Sequence, residues 1–127
     1  MDQELLWRLE QSHQKLKDLE EKLSIVVQQI IELENFGESL EEIKTNEGKE
    51  ILASLGKGVF VKSEIKDKKL FIDVGSGTLI RKDLGETQKV LRDQVSKLEN
   101  MKVELESGME TLNQEVSTLI GQIENKD

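Results

Sequence analysis

Six leucines stand seven residues apart, Leu84, Leu91, Leu98, Leu105, Leu112 and Leu119, and Val95, Met109, Val116 and Ile123 fall between them. That spacing fills the d and a positions of a heptad repeat, with Gln88 and Lys102 at the remaining a sites. It commits the region to a long helix, and the apolar seam of that helix must meet another. A second seam lies at the start of the chain. There Leu9, Leu16, Leu23 and Ile30 occupy a, and Leu5, Leu19, Val26, Leu33 and Leu40 occupy d, interrupted by Ser12 at d and by Gly37 and Lys44 at a. The chain contains no proline, so nothing forces either helix to break.

The two seams match each other if the helices run antiparallel, because an a residue of one then meets a d residue of the other. Leu9 with Leu119, Leu16 with Leu112, Leu23 with Leu105 and Ile30 with Leu98 share a constant position sum of 128, as do Leu5 with Ile123, Leu19 with Met109 and Leu33 with Val95. A slip of one heptad leaves one helix overhanging, so equal ends favour this register. Weak layers fall at Val26 with Lys102, whose ammonium can snorkel outward, and at Ser12 with Val116. At 1.5 Å per residue each helix is roughly 60 Å long, and both termini are expected at one tip.

Towards the end of the first helix the apolar stripe moves to Leu33, Phe36, Leu40 and Ile43, which predicts that the helix leaves its partner there and packs on a sheet. Thr45, Asn46 and Gly48 supply its stop. The second helix opens at Asp83, with Glu86 three residues on in capping-box spacing. The expected organisation is a first helix over 2–44, a strand segment over 49–82 and a second helix over 83–125, folding as one unit.

The middle segment, Lys49 to Lys82, has the strand chemistry of the chain: β-branched and aromatic residues in period-two alternation, punctuated by glycine. Four strands are predicted, Glu50 to Leu55, Val59 to Lys66, Lys69 to Val74 and Thr78 to Arg81. Four short strands expose edges and cannot bury both faces against two helix roots, so pairing with other subunits is the expected remedy. Leu52, Val59, Val61, Ile65, Leu70, Ile72, Val74 and Leu79 are the candidate assembly residues. The fold class is α+β, a long antiparallel coiled-coil hairpin interrupted by a small sheet of two β-hairpins that assembles into an oligomeric platform.

Composition narrows function. Across 127 residues the hydrophobic fraction is 35% and the aromatic fraction 3%, too little for the core of a compact monomeric enzyme, while charged residues at 35% suit long solvated helices. A net charge of −8 opposes a nucleic-acid partner. There is no cysteine for a disulfide or a thiolate metal site. No apolar run approaches a membrane span and the first 30 residues lack a signal-peptide core, so a soluble cytoplasmic chain without membrane contact is expected.

The chain offers little for catalysis. Gly75-Ser76-Gly77 has Ile80 where a dinucleotide loop needs its third glycine, and Gly56-Lys57-Gly58 is followed by Val59 where a P-loop needs lysine. Both read as turns. His13 stands alone at a charged e position, and Glu20, Glu21, Glu41 and Glu42 lie on solvated helix faces. No catalytic residue, cofactor or metal is expected.

Apolar residues off the seams carry more information. Leu6 at e, Trp7 at f and Ile120 at e lie near the predicted tip, and Ile25, Val27 and Ile31 form a second group. Either they pack against frayed ends or neighbouring chains, or they bind other proteins.

The stretch Asn46 to Leu84, NEGKEILASLGKGVFVKSEIKDKKLFIDVGSGTLIRKDL, resembles the alpha class of prefoldin subunits, the class with two hairpins between its helices. The order of strand, glycine, GVFVK-like strand, acidic turn, IDVG-like strand and glycine carries the likeness, and the heptad helices extend it over the chain. Ser54 departs from a common proline, and Gly85 from a usual acidic residue. The resemblance implies an ATP-independent holdase of two alpha and four beta-class subunits on a double β-barrel. It implies that non-native clients are held at coiled-coil tips, here Leu5, Leu6, Trp7, Leu9, Leu119, Ile120 and Ile123, and passed to a group II chaperonin. A structural scaffold or filament protein that binds no clients is the alternative reading.

Overall fold

The heptad stretches form two helices with four strands between them, in a computed structural model that describes residues 2–125. The order is α1 (Gln3–Thr45), β1 (Glu50–Gly56), β2 (Val59–Glu64), β3 (Lys69–Asp73), β4 (Leu79–Asp83) and α2 (Leu84–Asn125). Contacts divide the chain into two units, a terminal unit of Met1–Ile31 with Ser96–Asp127 and a hairpin unit of Glu32–Val95.

In the terminal unit α1 begins at a capping side chain. Asp2 Oδ1 accepts hydrogen bonds from the backbone N–H groups of Glu4 (2.9 Å) and Leu5 (3.4 Å), satisfying donors that the first helical turn leaves unpaired. Burial then follows the heptad. Leu5, Val26, Ile30, Val116 and Leu119 are buried, and Leu9, Leu16, Leu19, Leu23, Leu98, Leu105, Met109, Leu112 and Ile123 are half-buried. Gly108 reports the register, since a Cβ there would lie 3.3 Å from Leu19 Cδ1, next to the Leu19 and Met109 layer. The two weak layers are also closed. Ser12 and Val116 are both buried, and Lys102 is half-buried.

In the hairpin unit α1 ends where its sequence supplies substitutes for the missing helical donors. Asn46 donates to Glu42 O from both its backbone N (3.0 Å) and its side-chain Nδ2 (2.7 Å), and Thr45 Oγ1 donates to Glu41 O at 3.2 Å. β1 and β2 pair antiparallel from Glu50 opposite Glu64 to Gly56 opposite Val59. The two-residue connection, Lys57 at φ 52° and Gly58 at φ 78°, is left-handed at both positions, the geometry of a type I′ hairpin turn. β3 and β4 pair from Lys69 opposite Asp83 to Asp73 opposite Leu79. Their loop is closed by Asp73 Oδ1, which accepts from Gly75 N at 2.8 Å. Both glycine stretches are therefore strand turns. The strands form two two-stranded sheets, β1 with β2 and β3 with β4.

β4 passes straight into α2. Asp83, the last strand residue, accepts from Gly85 N through Oδ1 at 3.2 Å and so caps the helix, which starts at Leu84. The core of this unit is Leu40, Leu84 and Leu91, joined by the partly buried Leu33, Ile43 and Leu70. One expectation is corrected here: α1 does not leave its partner helix beyond Leu33. A Cβ on Gly37 would lie 3.1 Å from Leu91 Cδ2, and Gln88 Nε2 donates to Glu41 Oε2 at 3.1 Å. Glycine looks like the end of an apolar seam, but it makes the hole that the leucine of the facing helix fills. Phe36, expected to turn towards the sheet, is exposed instead.

Candidate functional site

The seven tip residues named from the sequence divide by heptad position. Leu5, Leu9, Leu119 and Ile123 sit in the seam, where Leu5 and Leu119 are buried, Leu119 keeping only 2% of its surface, and Leu9 and Ile123 are half-buried. Leu6, Trp7 and Ile120 lie off the seam and remain in water, Trp7 at 61% exposure. Three of the seven thus stand exposed as folded, Leu9 and Ile123 show part of their surface, and Leu5 and Leu119 can do so only if the last layers part. The second off-seam group behaves similarly, with Ile25 and Ile31 exposed and Val27 half-buried.

Two clefts open on one side of the terminal unit. One, of about 240 Å³, is lined by residues including Trp7, Arg8, Ser12, Lys15 and Glu115. The other, of about 350 Å³, is lined by residues including Lys22, Ile25, Val26, Met101 and Leu105. Exposed Met101, and with it Val90 and Val103 of α2, escaped the sequence reading, which looked for off-seam apolar residues mainly on α1. The signal was present, because Met101 stands at a g position, where solvent normally selects a polar residue.

The hairpins offer the other apolar surface. Of the eight predicted assembly residues, Leu52, Val59, Val61, Val74 and Leu79 are exposed, and Ile65, Leu70 and Ile72 are half-buried. The strands are apolar on both faces. On the first hairpin Ile51 and Ala53 share the half-buried face while Leu52 and Phe60 share the opposite, exposed one. On the second, Leu70 and Ile72 face inward, and Phe71 stands opposite Arg81, whose guanidinium lies 5.8 Å from the ring centroid. Phe71 still exposes 63% of its surface. Leu55, Phe60, Phe71 and Ile80 are exposed residues that the sequence reading left out, because it assigned one apolar face per strand.

Among the described residues no group of three or more His, Asp or Glu side chains is placed to hold a metal ion. Among the same described residues no helix is long and apolar enough to cross a membrane.

The model of the prefoldin subunit family matches residues 12–126. This chain belongs to the prefoldin family. Its relatives within the family include a prefoldin subunit alpha of Methanococcus vannielii, 31% identical over 115 residues, a match that covers 90% of this chain and 77% of that one. A prefoldin subunit alpha of Methanococcus maripaludis is 35% identical over 103 residues, covering 80% of this chain and 70% of the relative. Among solved structures, filamentous prefoldin from Methanocaldococcus jannaschii superposes with a TM-score of 0.71 at 22% identity, covering 89% of this chain and 95% of that one. Two long helices separated by two antiparallel hairpins are thus a prefoldin fold, and the hairpin count agrees with the alpha-class resemblance.

Proposed function

We propose that this prefoldin chain is an alpha-class subunit of an ATP-independent holdase, acting in the cytoplasm. Two such subunits and four of the beta class join their hairpins into a β-barrel body. The terminal units hold non-native proteins and release them to a group II chaperonin. The observation that carries client binding is the exposure of Leu6, Trp7 and Ile120 beside the closed Leu5 and Leu119 seam. Large apolar side chains off the seam cost solubility, and they are useful where apolar segments of other chains must be caught. Weak contacts on several subunits add through multivalency, so no single site needs to bind tightly. Assembly is supported by the apolar faces of the hairpins, which leave Leu52, Phe60, Phe71 and Leu79 in water. No catalytic step enters the proposal.

Light scattering tests it. The complex formed with its beta-class partner should suppress aggregation of a chemically denatured protein at near-stoichiometric ratio, without nucleotide. Unchanged scattering removes the holding function. A scaffold role is favoured by one observation, the likeness to a prefoldin whose structure is filamentous. Electron microscopy of the chain alone separates the two readings: filaments without aggregation suppression support the scaffold.

A further inference from the structure

We propose that residues 23–31 carry a second conformation, a β-strand that pairs antiparallel with the same segment of a second copy when the seam of the terminal unit opens. This accounts for Ile25, Val27 and Ile31, apolar residues that the seam does not use, and it does not depend on the holding function.

The segment reads LSIVVQQII, the longest run of the chain without a charged residue. Five of its nine residues are β-branched and none is proline or glycine, which is the composition of segments that stack into cross-β ladders. Inside α1 such residues are poor helix formers, because a branched Cβ crowds the preceding turn. The helix is held here by packing: Val26 keeps 4% of its surface and Ile30 6%. That packing has a weak layer, since the residue of α2 matched with Val26 by the constant position sum is Lys102, which is half-buried.

The pattern fits a strand as well as a helix. The seam takes Leu23, Val26 and Ile30 at helical spacing. Exposed Ile25 and Ile31 and half-buried Val27 are left over, and they share one face of an extended strand with Leu23. Gln29 is the one polar residue on that face. Charge sets the direction of pairing. Lys22 and Glu32 bound the run, and antiparallel pairing about Val27 puts Lys22 of one copy opposite Glu32 of the other at both ends. The same register sets Leu23 opposite Ile31 and Val27 opposite itself. Farther out it sets Glu20 opposite Glu34, a repulsion that ends the ladder at the charged pairs. Parallel in-register stacking would instead set Lys22 on Lys22 and Glu32 on Glu32.

The experiment uses the purified full chain without a partner subunit, agitated just below its thermal unfolding midpoint. Fibrils should grow that bind thioflavin, give an antiparallel-sheet infrared signature and leave a protease-resistant core that mass spectrometry places at residues 22–32. Ile25→Lys with Ile31→Lys alters two side chains that the folded chain leaves exposed, yet charges the apolar face of the strand. It should lengthen the lag before fibril growth at least tenfold at an unchanged midpoint. Val26→Leu with Ile30→Leu keeps the seam apolar and removes two β-branched residues, and it should lengthen the lag at least threefold without lowering the midpoint. Wild-type chain that forms no fibrils, a resistant core in residues 50–82, a parallel sheet, or a wild-type lag in either variant at unchanged midpoint overturns the inference. If the lysine variant lowers the midpoint, the leucine variant decides alone. Aggregation suppression by the assembled complex is a separate readout, and its failure removes the holding function while leaving this inference in place.

Discussion

Gly37 of α1 and Leu91 of α2 meet so closely that a β-carbon on the glycine would stand 3.1 Å from Leu91 Cδ2. Their positions obey the same constant sum as the leucine layers of the terminal unit. Within the hairpin unit the seam between α1 and α2 thus runs through a residue with no side chain. Gly121 is the counter-case, a helical glycine with nothing within 4 Å of the place its β-carbon would take.

These two glycines should respond differently to the same change. Gly121→Ala should stabilise the protein by up to about 1 kcal/mol, the cost of glycine in a helix interior. Gly37→Ala forfeits much of that gain against Leu91, and Gly37→Leu should destabilise by about 1–3 kcal/mol through overpacking. Thermal or urea unfolding of the three variants is the measurement.

The register of the terminal unit can be fixed chemically. Leu16→Cys with Leu112→Cys should form an intrachain disulfide readily, because the two positions share a layer, whereas Leu16→Cys with Leu105→Cys are a heptad out of step and about 10 Å further apart along the axis. Equal crosslinking of both pairs would contradict the register.

Leu40 keeps 1% of its surface and sits between Leu84 and Leu91. Leu40→Ala should cost about 2–5 kcal/mol by opening a cavity where α1, α2 and Leu70 of β3 meet. Phe36→Ala, four residues earlier but exposed, should cost far less in the isolated chain. Urea midpoints compare them.

The hairpin faces should be needed for assembly and dispensable for helix formation. Val61→Asp with Ile72→Asp should abolish the oligomer in mass measurements while far-UV circular dichroism keeps its helical signal. An intact oligomer would locate the assembly surface elsewhere.

At the tip, Leu6→Ser with Trp7→Ser should weaken aggregation suppression several-fold and leave particle mass unchanged. Loss of the oligomer in that variant would instead show that these side chains pack against other subunits.

Much of this fold was legible in the linear sequence because coiled coils are written in local periodicity. Leucine spacing placed both helices and their facing layers, and glycine flanked by β-branched runs placed all four strands to within about two residues. Leu6, Trp7 and Ile120 were found by the same rule, as apolar residues in positions a seam does not use. The rule failed where contact depends on what the facing helix brings. Gly37 reads as a gap until Leu91 fills it. Met101 becomes part of a cleft only when Ile25 stands across from it.

By itself, then, the sequence determined the elements, their order and the pairing of the two seams, since each follows from the periodicity of residues within a single stretch of chain. Tertiary structure decided which side of the coiled coil carries the clefts, that α1 stays on α2 beside the hairpins, and that the strands close as two separate two-stranded sheets. Those outcomes depend on volumes and charges brought together from distant positions, and no local period records them.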